Sequence, residues 1–187
     1  MESRVYYGEY SLKHWINLLL KRNIVLPNYQ RSFVWDEKDI TRLIKSLGDG
    51  QFVQPITIAN YNCEGRGQNL LLDGQQRLTS ILLSYLGYIP DKDKFSSVEE
   101  LASSDDSDEG DEHTTKIIGW TFEEMLEDDV ANNNIDAIKN RITKTGKYKE
   151  LKISSITNKE DFFEKTFLGF SYIIPASCLL YTSPSPR

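Results

Sequence analysis

The string LLLDGQQRLTS, residues 70–80, decides the fold, because an apolar run breaks at Asp73-Gly74 and resumes with a different period. Asn69 to Leu72 reads as a buried strand. Gln75 to Leu86 reads as a helix stopped by Gly87. Asp73-Gly74 is then a strand-to-helix turn, the junction on which an α/β chain is built. At such a turn the next backbone N–H groups point out of the helix start and, with the positive end of the helix dipole, make a ready anion site. Arg77 adds a planar fork able to hold two phosphate oxygens. Asp73 can carry a divalent cation or orient a water, and Gln75 and Gln76 supply neutral donors and acceptors. These parts suit a nucleotide polyphosphate, although the string is shorter than a P-loop and has no Gly-Lys-Ser/Thr. The plainer alternative is structural: Asp73 as helix N-cap, with Arg77 pairing to it on the helix surface.

Working outward, Pro55 to Tyr61 is rich in β-branched residues and reads as a strand. The glycine-punctuated turn Glu64 to Gln68 makes it a hairpin partner of residues 69–72. Upstream, Asp36 offers a cap to a helix with Ile40, Leu43, Ile44 and Leu47 on one face, ended by Gly48 and Gly50. Ser11 caps a first helix expected to reach Asn23, with Leu12, Trp15, Ile16, Leu19 and Leu20 as its apolar face. Ile24 to Leu26 is extended ahead of Pro27. Downstream, Thr121 and Glu124 have capping-box spacing at the head of a helix over residues 122–129. Further helices are expected over 134–143 and 159–165, and a strand over 167–175. No internal repeat is found. The expected fold class is α/β, with a small mixed sheet and flanking helices.

Between the first helix and Asp36 lies a second polar motif, Pro-Asn-Tyr-Gln-Arg-Ser-Phe-Val-Trp at residues 27–35. Arg is seldom buried without a partner, so Gln30 and Arg31 among aromatic residues are hard to explain as core. Tyr29, Phe33 and Trp35 could also serve as plain loop anchors, leaving Arg31 in solvent.

The 187 residues suit one domain, and 39% apolar residues with 8 Phe, 10 Tyr and 3 Trp suffice for a core. The formal charge of −6 is unevenly placed: residues 99–112 hold eight carboxylates and no base, and the rest carries 22 basic against 20 acidic groups. That acidic run reads as a solvated loop insertion, residues 96–116. No apolar run approaches the roughly 20 residues of a membrane span, and the N-terminus lacks signal-peptide order, so a cytoplasmic location is expected. Cys63 and Cys178 give neither a disulfide framework nor zinc spacing. His14 and His113 have no local partners. The last ten residues, CLLYTSPSPR, match a translated sequencing-library adaptor. Residues 178–187 are therefore set aside as a scar, with a Pro/Ser-rich linker as the alternative.

The pairing of PNYQRSFVW with LLLDGQQRLTS some forty residues later resembles the N-terminal domain of GmrSD-type, modification-dependent restriction proteins, in the ParB/sulfiredoxin-like superfamily. The resemblance covers about residues 8–90, with 167–175 similar to a later core strand. It implies a domain over residues 1–177, truncated at its C-terminus, that binds and hydrolyses GTP or ATP with Mg²⁺ to regulate cleavage of foreign DNA. Carried over, Gln30, Arg31, Asp73, Gly74, Gln75, Gln76 and Arg77 would form the nucleotide site. Asp73, Gln76 and Arg77 would act in catalysis, and Asp73 would hold the metal. A nuclease domain or subunit and DNA are the implied partners; no membrane is. A Phe-x-x-Ile-Asn-x-Gly motif expected after residue 175 is absent, and there is no His-Asn-His signature, so DNA cleavage is not expected of this chain. The alternative is a non-hydrolytic DNA-binding or interaction module. The nucleotide reading requires Arg31 and Arg77 to converge on one pocket and Gly74 to remain open to it.

Overall fold

Ser11 closes the first strand, β1 (Arg4–Ser11), and opens the first helix, its hydroxyl accepting the His14 N–H at 3.2 Å. That bond satisfies one of the amides a helix start leaves free. The computed structural model describes residues 4–63, 66–95, 98–101, 115–126, 134–153 and 173–180. Helix α1 (Leu12–Leu20) buries the five apolar residues expected of it. It stops short of Asn23 because Arg22 takes a left-handed φ of 54° and the amides of Arg22 and Asn23 turn back to the carbonyls of Leu19 and Leu18. Helix α2 (Glu37–Gly48) begins in a reciprocal box. Asp36 accepts the Lys38 and Asp39 N–H groups, and the Asp39 carboxylate accepts the Asp36 N–H.

The hairpin is present with longer arms than the sequence suggested: β3 (Ile56–Cys63) runs antiparallel to β4 (Arg66–Asp73). The short β2 (Ile24–Val25) lies parallel to β4 opposite Asn69 and Leu70. The last described strand, β9 (Ile173–Leu180), inserts between β1 and β3, antiparallel to the first and parallel to the second. The result is a five-stranded mixed sheet in the order β1-β9-β3-β4-β2, an α/β architecture. Cys178 to Leu180 continue β9 in register; main-chain pairing makes no demand on side-chain identity, so their origin does not enter.

Helix α3 (Gln75–Leu86) packs against α1 and α2. Leu78, Ile81, Leu82, Leu83 and Leu86 are all buried, and so are Ser80 and Ser84. Their hydroxyls donate back to the carbonyls of Gln76 and Ser80 at 2.7 Å, which lets polar groups sit in the core without orphaned donors. Each fully buried aliphatic side chain contributes about 1.5–3 kcal/mol, so this helix is fixed by burial from two neighbours. Its first residues are thereby held still.

The remaining elements flank this core. Strands β5 (Tyr88–Pro90) and β8 (Tyr148–Glu150) pair antiparallel, as do β6 (Val98–Leu101) and β7 (Thr115–Ile118). The insertion read as a loop over 96–116 therefore has paired strands at both ends, consistent with the β-branched residues Val98, Thr115, Ile117 and Ile118. Helix α4 (Glu123–Leu126) is described over four residues, and its head is a backbone turn from Glu124 N–H to Thr121 C=O. Helix α5 (Ile135–Thr145) is capped by Asn134 and closed by Gly146. The helix expected over 159–165 and residues 167–172 lie outside the described residues.

Candidate functional site

Where β4 ends, Gly74 takes the left-handed conformation (φ 92°, ψ 13°) and becomes the N-cap of α3. A Cβ there would lie 3.1 Å from Ile56 Cγ1, 3.2 Å from Arg77 Nη2 and 3.3 Å from Ile56 Cα. Both the dihedral and the closeness of β3 call for glycine. No side chain caps the helix, and no acid stands in its first turn. Asp73 does not serve as N-cap, because the chain turns one residue later. The leading amides of a two-sided buried helix are thus left for something else.

The second motif is fastened to this turn by two glutamines. Gln30 Nε2 donates to the carbonyls of Leu72 (2.8 Å) and Leu71 (3.2 Å), just past the stretch of β4 that β2 covers. Gln76 Nε2 donates to the Ser32 carbonyl at 3.0 Å, and its Oε1 accepts the Val34 N–H at 3.0 Å. Phe33 is buried between these bonds, its ring edge-on to Trp120 at 5.8 Å and its N–H donating to the Trp120 carbonyl. Lys92 Nζ reaches the Val34 carbonyl at 3.1 Å. Burial lowers the Lys92 pKa, Asp36 and Asp39 oppose that lowering, and Lys149 adds to it. The loop is held on three sides. Arg31 projects from it exposed, with no hydrogen bond or ion pair among the described residues.

Asp73 and Arg77 do pair across one helical turn, at 3.0 Å. The Arg77 fork is further committed to the Pro55 carbonyl and to Gln54 Oε1, both at 3.1 Å, and it ties down the approach to β3. Its Nε is buried without a partner. The Asp73 side chain, by contrast, is 69% exposed. Between them lies Gln75, 3% exposed, with neither end of its amide hydrogen-bonded. Thr79, one turn along the same helix, also has a buried hydroxyl without a partner.

One pocket of about 150 Å³ gathers Gln30, Arg31, Trp35, Asp73, Gly74, Gln75, Gln76 and Arg77. All seven residues singled out in the sequence meet there. Gly74 is itself buried against Ile56 yet belongs to the lining. The sequence assigned Trp35 only to loop anchoring, though its place in the Tyr-Gln-Arg-x-Phe-x-Trp string was a signal. Gln54, which steadies Arg77, had no signal at all. Among the described residues no group of three or more His, Cys, Asp or Glu is placed to hold a metal, and no helix is long and apolar enough to cross a membrane.

A mixed α/β domain with a polar pocket set where a strand gives way to a helix, and completed by a loop from forty residues upstream, is the class these features define. The chain belongs to the GmrSD restriction endonuclease N-terminal domain family, whose model matches residues 15–179. It is also similar to an uncharacterized protein of Methanocaldococcus jannaschii, 38% identical over 88 residues that make up 36% of this chain and 15% of that protein. The chain thus spans a small part of that relative's length. No solved structure gives a significant match.

Proposed function

We propose that this domain binds the polyphosphate of a nucleoside triphosphate, GTP or ATP, at the Asp73–Arg77 turn, and that hydrolysis there regulates DNA cleavage by a nuclease domain or subunit. The observation that carries the reading is Gln75. A buried amide with both ends unpaired costs about 1–3 kcal/mol per group, and at the lining of a polar pocket a bound ligand is one way in which such a group is completed. An oxyanion accepts from its Nε2 and a hydroxyl or bound water donates to its Oε1. The uncapped start of α3 supplies further donors, and Arg31 supplies a cation with no other commitment.

Division of labour follows from the bonds. Gln30 and Gln76 position the loop that carries Arg31, and Arg77 holds Asp73 with one edge of its fork. The Asp73 oxygen not facing Arg77 accepts from a water and orients it toward the terminal phosphorus; a water O–P bond forms as the bridging P–O bond breaks, and the water's proton passes through Asp73 to solvent, giving nucleoside diphosphate, phosphate and a proton. Mg²⁺ is held elsewhere by one or two carboxylates with phosphates and waters completing its shell, which one exposed carboxylate fits and an all-protein cage would not. Asp73 would hold it, and it would supply neutralisation of phosphate charge.

The test is phosphate release from GTP and ATP, alongside calorimetric binding. Asp73→Ala is expected to abolish release and to leave binding measurable, weakened by loss of the carboxylate that would hold Mg²⁺. Equal rates for both proteins would overturn hydrolysis at this site, and binding without release in wild type would favour a non-hydrolytic module.

A further inference from the structure

The Asp73–Arg77 pocket is too small for an entire nucleotide. Small-molecule sites enclose about 300–1,000 Å³, and this one holds about 150 Å³. Beside it lies a second cleft of about 300 Å³ that shares Trp35 and Arg77 with the first. Leu43 and Val53 line it with Trp35, and Phe52 stands in it 80% exposed, more so than any other large apolar side chain among the described residues. Ser46 and the Arg42–Asp39 pair supply its polar side. An unsupported aromatic ring in water, next to a Trp that belongs equally to an anion pocket, is an arrangement a planar group would complete.

We infer that this cleft seats the base and ribose of the nucleotide whose phosphates occupy the Asp73–Arg77 pocket. The inference rests on the reading of that pocket as a polyphosphate site. Three observations join the two spaces: continuity through Trp35 and Arg77, a volume that supplies what the smaller pocket lacks, and a lining that gains Leu43, Phe52 and Val53 beside its polar groups where the smaller pocket has Trp35 alone as a large apolar side chain. That change follows the order of a nucleotide itself, from anion to planar ring. Stacking accepts any base because every base has a π face, so the cleft distinguishes purine triphosphates weakly, by less than about tenfold. Ser46, Gln54 and the Arg42–Asp39 pair are hydrogen-bonding groups in the lining that a ribose would meet.

The experiment measures binding of GTP, ATP and inorganic tripolyphosphate by calorimetry to wild type, Phe52→Ala and Arg31→Ala. Phe52 is exposed, so its truncation leaves the fold intact, as an unchanged urea midpoint verifies. Loss of an aromatic stacking partner weakens base binding by about five- to a hundredfold. Phe52→Ala is expected to weaken GTP and ATP by at least about fivefold and to leave tripolyphosphate unchanged, whereas Arg31→Ala weakens all three. If wild type binds tripolyphosphate as tightly as GTP, or if Phe52→Ala changes neither or changes both alike, the base lies elsewhere and the polyphosphate reading stands alone. If wild type binds none of the three, the polyphosphate reading fails and takes this inference with it. If Phe52→Ala instead weakens single-stranded DNA while sparing GTP, the cleft serves a DNA base and the inference is overturned.

Discussion

Gln75 and Gln76 are adjacent, alike in chemistry and both buried, yet replacing each with Met should move stability in opposite directions. Gln76 makes two bonds to the backbone of the upstream loop, to Ser32 C=O and Val34 N–H at 3.0 Å each. Met fills a similar volume and leaves both backbone groups orphaned, which costs about 2–6 kcal/mol at about 1–3 kcal/mol for each unmet group. Gln75 makes no such bonds, and its amide is a desolvated liability in the free protein. Replacing it with Met removes both unmet groups and should stabilise the unliganded chain by about 2–6 kcal/mol at about 1–3 kcal/mol for each. Urea unfolding followed by tryptophan fluorescence reads both values, with the slope checked for an unchanged unfolded state. The second arm is binding. Gln75→Met should weaken tripolyphosphate by about tenfold or more, converting a gain in stability into a loss of affinity. Destabilisation by Gln75→Met comparable to that of Gln76→Met, or binding that does not notice it, would refute the claim that this amide is held in reserve for a ligand.

Four further outcomes are expected. Gly74→Ala and Gly87→Ala both force a left-handed alanine, costing about 1–2 kcal/mol, but only Gly74 has atoms within 4 Å of the new Cβ. It should lose about 1–3 kcal/mol more in urea unfolding, and equal losses would show that β3 gives way freely. Arg31→Ala should change stability by less than about 0.5 kcal/mol while weakening tripolyphosphate about ten- to a hundredfold in calorimetry. Lys92 has a pKa lowered by burial from 10.5, so between its folded and unfolded values the unfolded chain binds the proton and the native one does not. Stability should therefore rise with pH through that window as it approaches 10.5 and fall as pH drops through the folded value, and Lys92→Gln should abolish that slope in urea titrations at stepped pH. Chelation of divalent cations should stop phosphate release and weaken GTP binding, and unchanged rates in excess EDTA would remove Mg²⁺ from the proposal.

What the sequence made legible followed from period and punctuation. Ser11 and Asp36 as caps, and Gly87 as a stop, are local chemistry that needs no distant partner; α1, α2 and α3 stand close to where those residues put them, and α5 close to the span expected over 134–143. Strand β1 was missed because Gly8 and Glu9 break the alternation, and its pairing with β9 depends on a segment more than 160 residues away. The three-residue strands β5 and β8 are too short to show a period. At the site, residue types were legible and their commitments were not. Nothing in DGQQR says that Gln76 bonds Ser32 and Val34 while the Gln75 amide is buried without a hydrogen-bond partner, since consecutive helical residues diverge by about 100° and only the packing of α3 decides which one meets the loop.

Those commitments change how charge is distributed across the pocket. The two arginines look equivalent in sequence, but Arg77 is spent on Asp73, Pro55 and Gln54, while Arg31 has no hydrogen bond or ion pair among the described residues. With Arg77 neutralised by Asp73, the net positive charge among the lining residues is that of Arg31 alone, helped by the start of α3. A triphosphate brings several negative charges into a partly enclosed space, and one guanidinium with a helix dipole does not balance them. On the proposed reading the remainder would arrive with the ligand as a bound cation, which the exposed carboxylate of Asp73 would meet at the pocket. Arg31 in turn rides on a loop fixed by Gln30, Gln76, Phe33 and Lys92 rather than on a helix or strand. The affinity of the pocket is thereby tied to how well that loop is docked, and anything that strains the loop, including a neighbouring domain pressing on it, would act on the nucleotide through Arg31.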